Sequence, residues 1–210
     1  MGRVVILGAG IVGSAAAHVS SGLGAEVVTV DRDLDRLRCV KNTPLGGVTS
    51  LPASSKGIRE TVPHADLLIG AVLVVDSKTP LLVYRTTAEE IKEGSVIVDA
   101  DVDQGGSVAT TRPTTLLEPI FVEAGVVHSC ARNIPASVPV TATRALSNAL
   151  GPYAKKVVAR DLLDALNSDP GSGRGAAVGR QCLVSDTLAR EHAMDHHPSN
   201  SILPLHLEAQ

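Results

Sequence analysis

The sequence contains very few aromatic residues. Its 210 residues include two tyrosines, one phenylalanine and no tryptophan. Such a chain has no row of aromatic rings on which the bases of a single-stranded nucleic acid could stack. Its core must instead be built from valine, leucine, isoleucine and alanine, a composition typical of parallel β-strands that are buried on both faces.

Cysteine is also scarce, since the chain has only Cys39, Cys130 and Cys182. Their wide spacing matches neither a zinc-binding pattern nor an even-numbered disulfide framework. We therefore predict no metal site and a reducing compartment, the cytoplasm. Four residues near the C-terminus have a helical ligand spacing, but we interpret them as the end of a frayed helix rather than a metal site: His192, Asp195, His196 and His197.

Strong net charge and long apolar runs are missing as well. Nineteen Lys and Arg residues against 22 Asp and Glu give a formal charge of -3, without a long basic run, so nucleic acid is a poor candidate partner. No stretch approaches the ~18 uninterrupted apolar residues that a membrane helix needs. The first apolar run ends at Gly8, and we interpret it as a strand before a glycine turn rather than a signal peptide.

Short apolar runs alternate with helical or turn segments, as in α/β proteins. Right-handed crossovers between such strands give a doubly wound, mostly parallel sheet of Rossmann type. The predicted strands are residues 4–7, 26–30, 47–51, 67–72, 95–99 and 125–129. The predicted helices are residues 11–22, 33–39, 54–62 and 86–91.

After Pro139 the apolar residues recur three and four positions apart, which predicts an amphipathic helix over residues 145–166 and thus a C-terminal helical extension. Residues 169–175 are interpreted as a loop and residues 185–193 as a second short helix. The predicted domains are a Rossmann domain, a helical segment and a poorly ordered tail, at residues 1–140, 141–195 and 196–210.

The segment GAGIVG follows the first predicted strand and opens the first predicted helix. Although GxGxxG alone is a weak signal, Asp31 ends the next strand 18 residues after the last glycine, and this whole context is typical of dinucleotide binding. Gly8 permits the tight turn, Gly10 lets the backbone approach a pyrophosphate, and Gly13 lets the helix lie close to the sheet. The helix N-terminus would then hold the phosphates.

Asp31 favours NAD as the cofactor. Its carboxylate would accept hydrogen bonds from the ribose hydroxyls and repel the 2'-phosphate of NADP. The adjacent Arg32 favours the opposite choice, because a guanidinium can pair with that phosphate. Asp31 could alternatively be the N-cap of the following helix.

Seven segments occur in the order and at the spacing found in L-alanine dehydrogenases: LGAGIVG, VDRDLDRL, ADLLIGAVL, VIVDADVDQGG, TRPTT, VVH and NIPASVP. From residue 3 to about residue 194 the chain strongly resembles the alanine dehydrogenase/nicotinamide nucleotide transhydrogenase family. DQGG followed by RPTT favours the dehydrogenase branch. The resemblance implies NAD-dependent conversion of L-alanine to pyruvate and ammonia, with hydride passing from the substrate Cα to the nicotinamide.

The resemblance also implies a set of cofactor-binding residues beyond the three glycines. Asp31 and Arg36 would hold the adenosine end. The others would approach the phosphates, the second ribose or the nicotinamide: Ile11, Val72, Leu73, Ala100, Asp101, Val102, Asp103, Arg112, Ala131, Arg132, Asn133 and Ile134.

Asp103 matches the family's catalytic aspartate, which helps to position the substrate amine and the attacking water. It could instead be a β-turn residue before Gly105, and Arg112 could equally be half of a surface ion pair. His128 is interpreted as a satisfied core histidine rather than an acid. Departures from the family's motifs occur at Ala53, Asp101, Leu116, Ser129 and Ala136.

Asp101 places a second acid next to the presumed hydride site. Because an extra carboxylate near a pyrophosphate disfavours an anionic cofactor unless it points away, we expect a reduced affinity for NAD. In the family a substrate domain, which carries an arginine, a lysine and a histidine, precedes the nucleotide domain. Here the first predicted strand already begins by residue 4.

We therefore expect that turnover of L-alanine and pyruvate needs a complementing substrate domain. The expected protein partner is either a separately encoded substrate domain or another copy of this chain in a homo-oligomer. The alternatives are a non-catalytic NAD-binding module, a split transhydrogenase-like subunit and a fragment that folds but binds nothing.

Overall fold

A seven-stranded β-sheet organises the first 134 residues of the chain in the computed structural model. The structure describes residues 1–42, 47–75, 77–159, 165–166, 170–179 and 182–197. They divide into two compact units, of which the first comprises Met1–Val74 with Lys78–Ile134 and the second comprises Val75–Ser77 with the chain from Pro135 onward.

The strands of this sheet are β1 Arg3–Leu7, β2 Glu26–Asp31, β3 Val48–Pro52, β4 Leu67–Gly70, β5 Val96–Asp99, β6 Ile120–Glu123 and β7 Val126–Ser129. They follow the spatial order β3-β2-β1-β4-β5-β7-β6. All neighbouring pairs are parallel except β6 and β7, which form an antiparallel hairpin. The predicted doubly wound, mostly parallel α/β sheet is therefore confirmed.

The edge strand β6 was missed by the sequence analysis. It is joined to β7 by Ala124 and Gly125, which have positive φ values of 52° and 75°. Two-residue hairpins with this backbone are usually marked by Asn-Gly or Asp-Gly. Here the first of these positions is an alanine, so the sequence does not show a turn after the short apolar run that forms β6.

Among the described residues of the first unit, four α-helices pack on the sheet: α1 Ile11–Gly22, α2 Leu34–Lys41, α3 Ser55–Thr61 and α4 Arg85–Glu89. Two of them begin at capping side chains. Asp33 accepts hydrogen bonds from the amides of Asp35 and Arg36, and Ser54 accepts one from the amide of Gly57. Asp33 therefore caps α2, and the alternative interpretation of Asp31 as the N-cap of this helix is wrong.

The core lies on both faces of the sheet, because alternate residues of a strand point to opposite sides. Val5 and Leu7 of β1 belong to one buried apolar cluster, while Val4 and Ile6 belong to the other. Valine, leucine, isoleucine and alanine fill both clusters. The composition-based prediction of a core without aromatic residues is thus confirmed.

The second unit contains helices α5 Pro139–Ala159, α6 Pro170–Arg174 and α7 Asp186–Glu191, with a two-stranded ladder of β8 Val178–Gly179 and β9 Cys182–Leu183. The C-terminal helical extension is confirmed. The second short helix predicted over residues 185–193 is α7, which Ser185 caps by accepting a hydrogen bond from the amide of Leu188. Residues 160–164 of the predicted amphipathic helix and residues 198–210 of the predicted tail lie outside the described residues.

The loop predicted over residues 169–175 is wrong, because α6 occupies Pro170–Arg174. A proline is tolerated in the first turn of a helix, where its missing N–H has no helical partner. Glycine in this short helix allows a close approach, since a Cβ at Gly173 would lie 2.9 Å from the carbonyl oxygen of Leu166. Among the helices that the structure describes, none is long and apolar enough to cross a membrane.

Candidate functional site

Gly8 and Gly13 are required by the protein's own packing. Gly8 has a φ of 101°, and a Cβ there would lie 2.2 Å from the carbonyl oxygen of Ala71. A Cβ on Gly13 would lie 1.8 Å from the carbonyl oxygen of Gly8. The first glycine therefore lets the chain turn beside the segment that follows β4, and the third lets α1 rest on that turn.

Gly10 differs from both, because no protein atom requires a glycine there. Its φ of -73° and ψ of -162° are open to any residue, and a Cβ would meet only Nη1 of Arg36 at 3.9 Å. Among the described residues no side chain caps α1, so amides of its first turn are left for another acceptor. Ile11 begins the helix with its side chain 93% exposed.

Asp31 lies at the glycine turn. Its Oδ2 accepts a hydrogen bond from the amide of Ala9 at 2.6 Å, and its Oδ1 accepts one from the amide of Asp33 at 2.8 Å. The carboxylate is thus held at the carboxyl end of β2, directly beside the turn. Arg36 lies on the same side, where its Nε is 3.4 Å from Oδ2 of Asp33 and its Nη1 faces Gly10.

The segments that follow β4 and β5 meet at the same edge of the sheet. The amide of Ala100 donates to the carbonyl oxygen of Gly70 at 3.0 Å. Oδ2 of Asp101 accepts a hydrogen bond from the amide of Val72 at 2.6 Å. Leu73, the next residue, is 67% exposed. The structure therefore brings these predicted residues together, although they are about 30 positions apart in sequence.

Asp99, which the sequence analysis did not single out, organises this edge. It is fully buried and accepts hydrogen bonds from the amides of Asp101 and Ser107, each at 3.1 Å, and from Oγ1 of Thr111 at 2.7 Å. A Cβ on Gly106 would lie 2.8 Å from its Oδ2. The available signal was an aspartate that ends an apolar strand shortly before two glycines.

A free cysteine lies close to this carboxylate. Burial, together with the charge of Asp99, raises the pKa of the Cys130 thiol to about 11. The thiol therefore stays protonated near neutral pH and lacks the thiolate form that a nucleophile needs. Cys130 is fully buried and belongs to the core.

Asp103 lies in a short 3-10 helix, Val102–Gln104, and contacts a second predicted segment. Its Oδ2 accepts a hydrogen bond from the amide of Asn133 at 3.1 Å, and its Oδ1 lies 3.7 Å from Nε of Arg132. Asn133 adopts a φ of 52°, which asparagine tolerates better than most residues. The Asp103 side chain remains 47% exposed and so is accessible to a ligand.

The remaining predicted residues take different positions. Val102 and Ala131 are buried, so their side chains belong to the core, and Ile134 is exposed. The guanidinium of Arg112 stands over the ring of Phe121, 4.1 Å from its centre. In this cation–π contact the Arg112 side chain packs against the β6–β7 hairpin.

His128 is a satisfied core histidine, as predicted. It is buried and stacks on Phe121 at a ring separation of 4.7 Å. Its Nδ1 lies 3.0 Å from the carbonyl oxygen of Val126, which can only accept, so Nδ1 carries a proton. Its Nε2 lies 2.8 Å from Oγ1 of Thr110. Across the described ranges, no three His, Cys, Asp or Glu side chains form a group that could hold a metal ion.

A family model described as "Alanine dehydrogenase/PNT, C-terminal domain" matches residues 1–183. The chain belongs to this family. It is 35% identical to the alanine dehydrogenase of Halomonas elongata over 201 residues, which cover 96% of this chain and 54% of that protein. It is 38% identical to the alanine dehydrogenase of Mycolicibacterium smegmatis, covering 90% of this chain and 51% of that protein.

A solved structure of an L-alanine dehydrogenase is similar in fold as well as in sequence. It matches with a TM-score of 0.79 and 41% identity, over 91% of this chain and 53% of that chain. The expected membership of the alanine dehydrogenase/transhydrogenase family is therefore confirmed, and these matched relatives are oxidoreductases. The chain spans about half the length of the relatives that it matches.

Proposed function

We propose that the chain binds NAD at the carboxyl edge of its sheet and forms the nucleotide-binding half of an NAD-dependent L-alanine dehydrogenase. The observation that carries this proposal is the hydrogen bond between Asp31 and the amide of Ala9. It holds a carboxylate for the ribose beside a backbone turn for the diphosphate, as a dinucleotide requires.

The residues present fit the adenosine and diphosphate parts of NAD. A Cβ at Gly10 would occupy space that no protein atom fills, and amides at the start of α1 can donate to phosphate oxygens. Each oxygen of Asp31 accepts one backbone amide and keeps a second lone pair for a ribose hydroxyl. Arg36 adds a positive charge on this side of the turn.

The strand order directs the other half of the nucleotide toward β4 and β5. In a doubly wound sheet a dinucleotide crosses the point where the strand order reverses, which here lies between β1 and β4. With the adenosine at β2, the nicotinamide half would face the segments that carry Val72, Leu73 and Asp103. Asn133, which donates to Asp103, would lie on the same side.

NAD, held by these residues, would supply the acceptor for a hydride from the Cα of the substrate. The chain's own contribution would be to orient the reactants: Asp103, half exposed and fixed by the Asn133 amide, would accept a hydrogen bond from the substrate amine or the attacking water. Chemistry on a small amino acid also needs groups that bind its carboxylate and transfer protons. We propose that a substrate domain, corresponding to the other half of the relatives, supplies them.

We expect the chain to bind NAD at least about tenfold more tightly than NADP, because Asp31 repels a 2'-phosphate. Titration calorimetry with both nucleotides measures this ratio. The Asp31→Asn variant should weaken NAD binding and lower the ratio of the NADP to the NAD dissociation constant, since it removes the negative charge of the side chain but keeps its size. Asp35→Asn, an exposed change on α2, is the matched control and should leave the ratio unchanged. Equal dissociation constants for NAD and NADP in the unaltered chain would contradict the role of Asp31.

We expect NADH to form from L-alanine and NAD at alkaline pH when the chain is mixed with the substrate domain of an alanine dehydrogenase, and not by the chain alone. Asp103→Asn should lower kcat in the mixture by about a hundredfold, because it removes a charged acceptor at the reacting centre. NAD binding without turnover in the mixture would instead support a non-catalytic nucleotide-binding module.

A further inference from the structure

We propose that Asp101 is a positioning residue that joins the segment after β4 to the segment after β5, and that its negative charge makes the site prefer the oxidised nicotinamide ring over the reduced one. This inference rests on the proposed nucleotide binding.

The position of Asp101 is fixed on three sides. Its amide donates to Oδ1 of Asp99, and its carbonyl oxygen accepts from the amides of Gln104 and Gly106. With its backbone held in this way, its side chain reaches across to the amide of Val72 at 2.6 Å. The carboxylate therefore points into the protein and makes a bridge between two segments that both carry predicted ligand contacts.

The Asp101 carboxylate is buried next to a second carboxylate, without a positively charged partner among the described residues. The residue is only 9% exposed, and within the described ranges neither Asp101 nor Asp99 has an ion-pair partner within 4 Å. From the segment after β4 it faces the amide of Val72, from the end of β5 it faces the carboxylate of Asp99, and from the following segment it faces the uncharged Ser107 hydroxyl. Asp99 is thus the charged group that faces it.

Two carboxylates at the nicotinamide edge would affect the two forms of the cofactor differently. The oxidised ring carries a positive charge and the reduced ring is neutral. A carboxylate that is poorly shielded by water therefore attracts the oxidised ring more strongly, since electrostatic interactions grow as the local dielectric constant falls. The effect of the Asp101 charge on the diphosphate is the same for both forms, so it does not change the ratio of their affinities.

The pH at which this preference changes follows from the same geometry. Burial, opposed by the Val72 hydrogen bond and reinforced by the charge of Asp99, raises the pKa of Asp101 from 3.8 to about 6. Below that pH the carboxyl is neutral and the part of the preference that Asp101 contributes is lost. Above it the carboxylate is charged and the preference is complete.

The test is to titrate NAD, NADH and ADP-ribose into the full chain at about pH 5 and about pH 7.5, using calorimetry and NADH fluorescence. In the unaltered chain the preference for NAD over NADH should be about fivefold greater at the higher pH. Asp101→Asn keeps an acceptor for Val72 but no charge, so its preference should be low and equal at both pH values. ADP-ribose, which lacks the ring, measures the effect of the Asp101 charge on the diphosphate part alone, and this effect cancels in the ratio of NAD to NADH affinities.

Asp101→Ala removes both the negative charge and the hydrogen bond to Val72, so comparison with Asp101→Asn isolates the effect of the hydrogen bond. It should weaken NAD and NADH together, while Asp35→Asn should behave as the unaltered chain does. Thermal unfolding shows that the variants fold. Because the pKa of Asp101 is higher in the folded state, ionisation of its carboxyl destabilises the folded protein progressively as the pH rises from about 4 to about 6. Asp101→Asn should therefore melt about 3 °C higher at pH 7.5 but not at about pH 4.

The same pH-dependent preference in the unaltered chain and in Asp101→Asn would overturn the inference while leaving the proposed function intact. No binding of any of the three nucleotides to the unaltered chain would overturn both.

Discussion

Gly13→Ala is expected to lower the free energy of unfolding by about 3 kcal/mol, near the upper end of what overpacking costs. The reason is steric, because the added Cβ would lie 1.8 Å from the carbonyl oxygen of Gly8, and a backbone atom cannot move aside as a flexible side chain can. Denaturant unfolding followed by circular dichroism measures the change.

Gly10→Ala is the matched control for this effect, because it adds the same methyl group to the same turn. Its Cβ would have only the end of the Arg36 side chain within 4 Å, at 3.9 Å, so the free energy of unfolding should stay within about 0.5 kcal/mol of the unaltered value. If Gly13→Ala unfolds at the same denaturant concentration as the unaltered chain, then α1 does not rest on the turn in the way described.

The second large effect concerns ligand binding rather than stability. Gly10→Ala should weaken NAD binding by at least about tenfold, because the methyl group would stand where backbone and diphosphate need to meet. Calorimetric titration measures the change, and the unfolding experiment shows that the variant remains folded. This combination of normal stability and poor binding is expected only if the space above Gly10 belongs to a ligand.

Gly151→Ala gives the corresponding control outside the turn. A Cβ there would meet nothing within 4 Å, and alanine favours a helix more than glycine does, so neither stability nor NAD binding should fall.

Unchanged NAD affinity in Gly10→Ala would mean that the diphosphate does not lie at the glycine turn, and the proposed function would have to be abandoned.

Several elements could be predicted because their signals are local. Short valine-rich runs with intervening helical segments led to six of the seven strands of the main sheet, and the spacing of Asp31 from the glycines placed that carboxylate near the turn. Strand β6 was missed because the residue before Gly125 is an alanine that adopts positive φ. Helix α6 was missed because its proline and glycines are typical of loops.

The amino-acid sequence by itself determined the parallel sheet, the glycine turn and the family, since each depends on residues that are near one another in the chain or on motifs at fixed spacing. Only the tertiary structure decided the direction of the acidic side chains after β5. Asp101 turns inward to Val72, and Asp103 turns to Asn133. Both partners are about 30 residues away in sequence, and they become neighbours because parallel strands bring their carboxyl ends to one edge of the sheet.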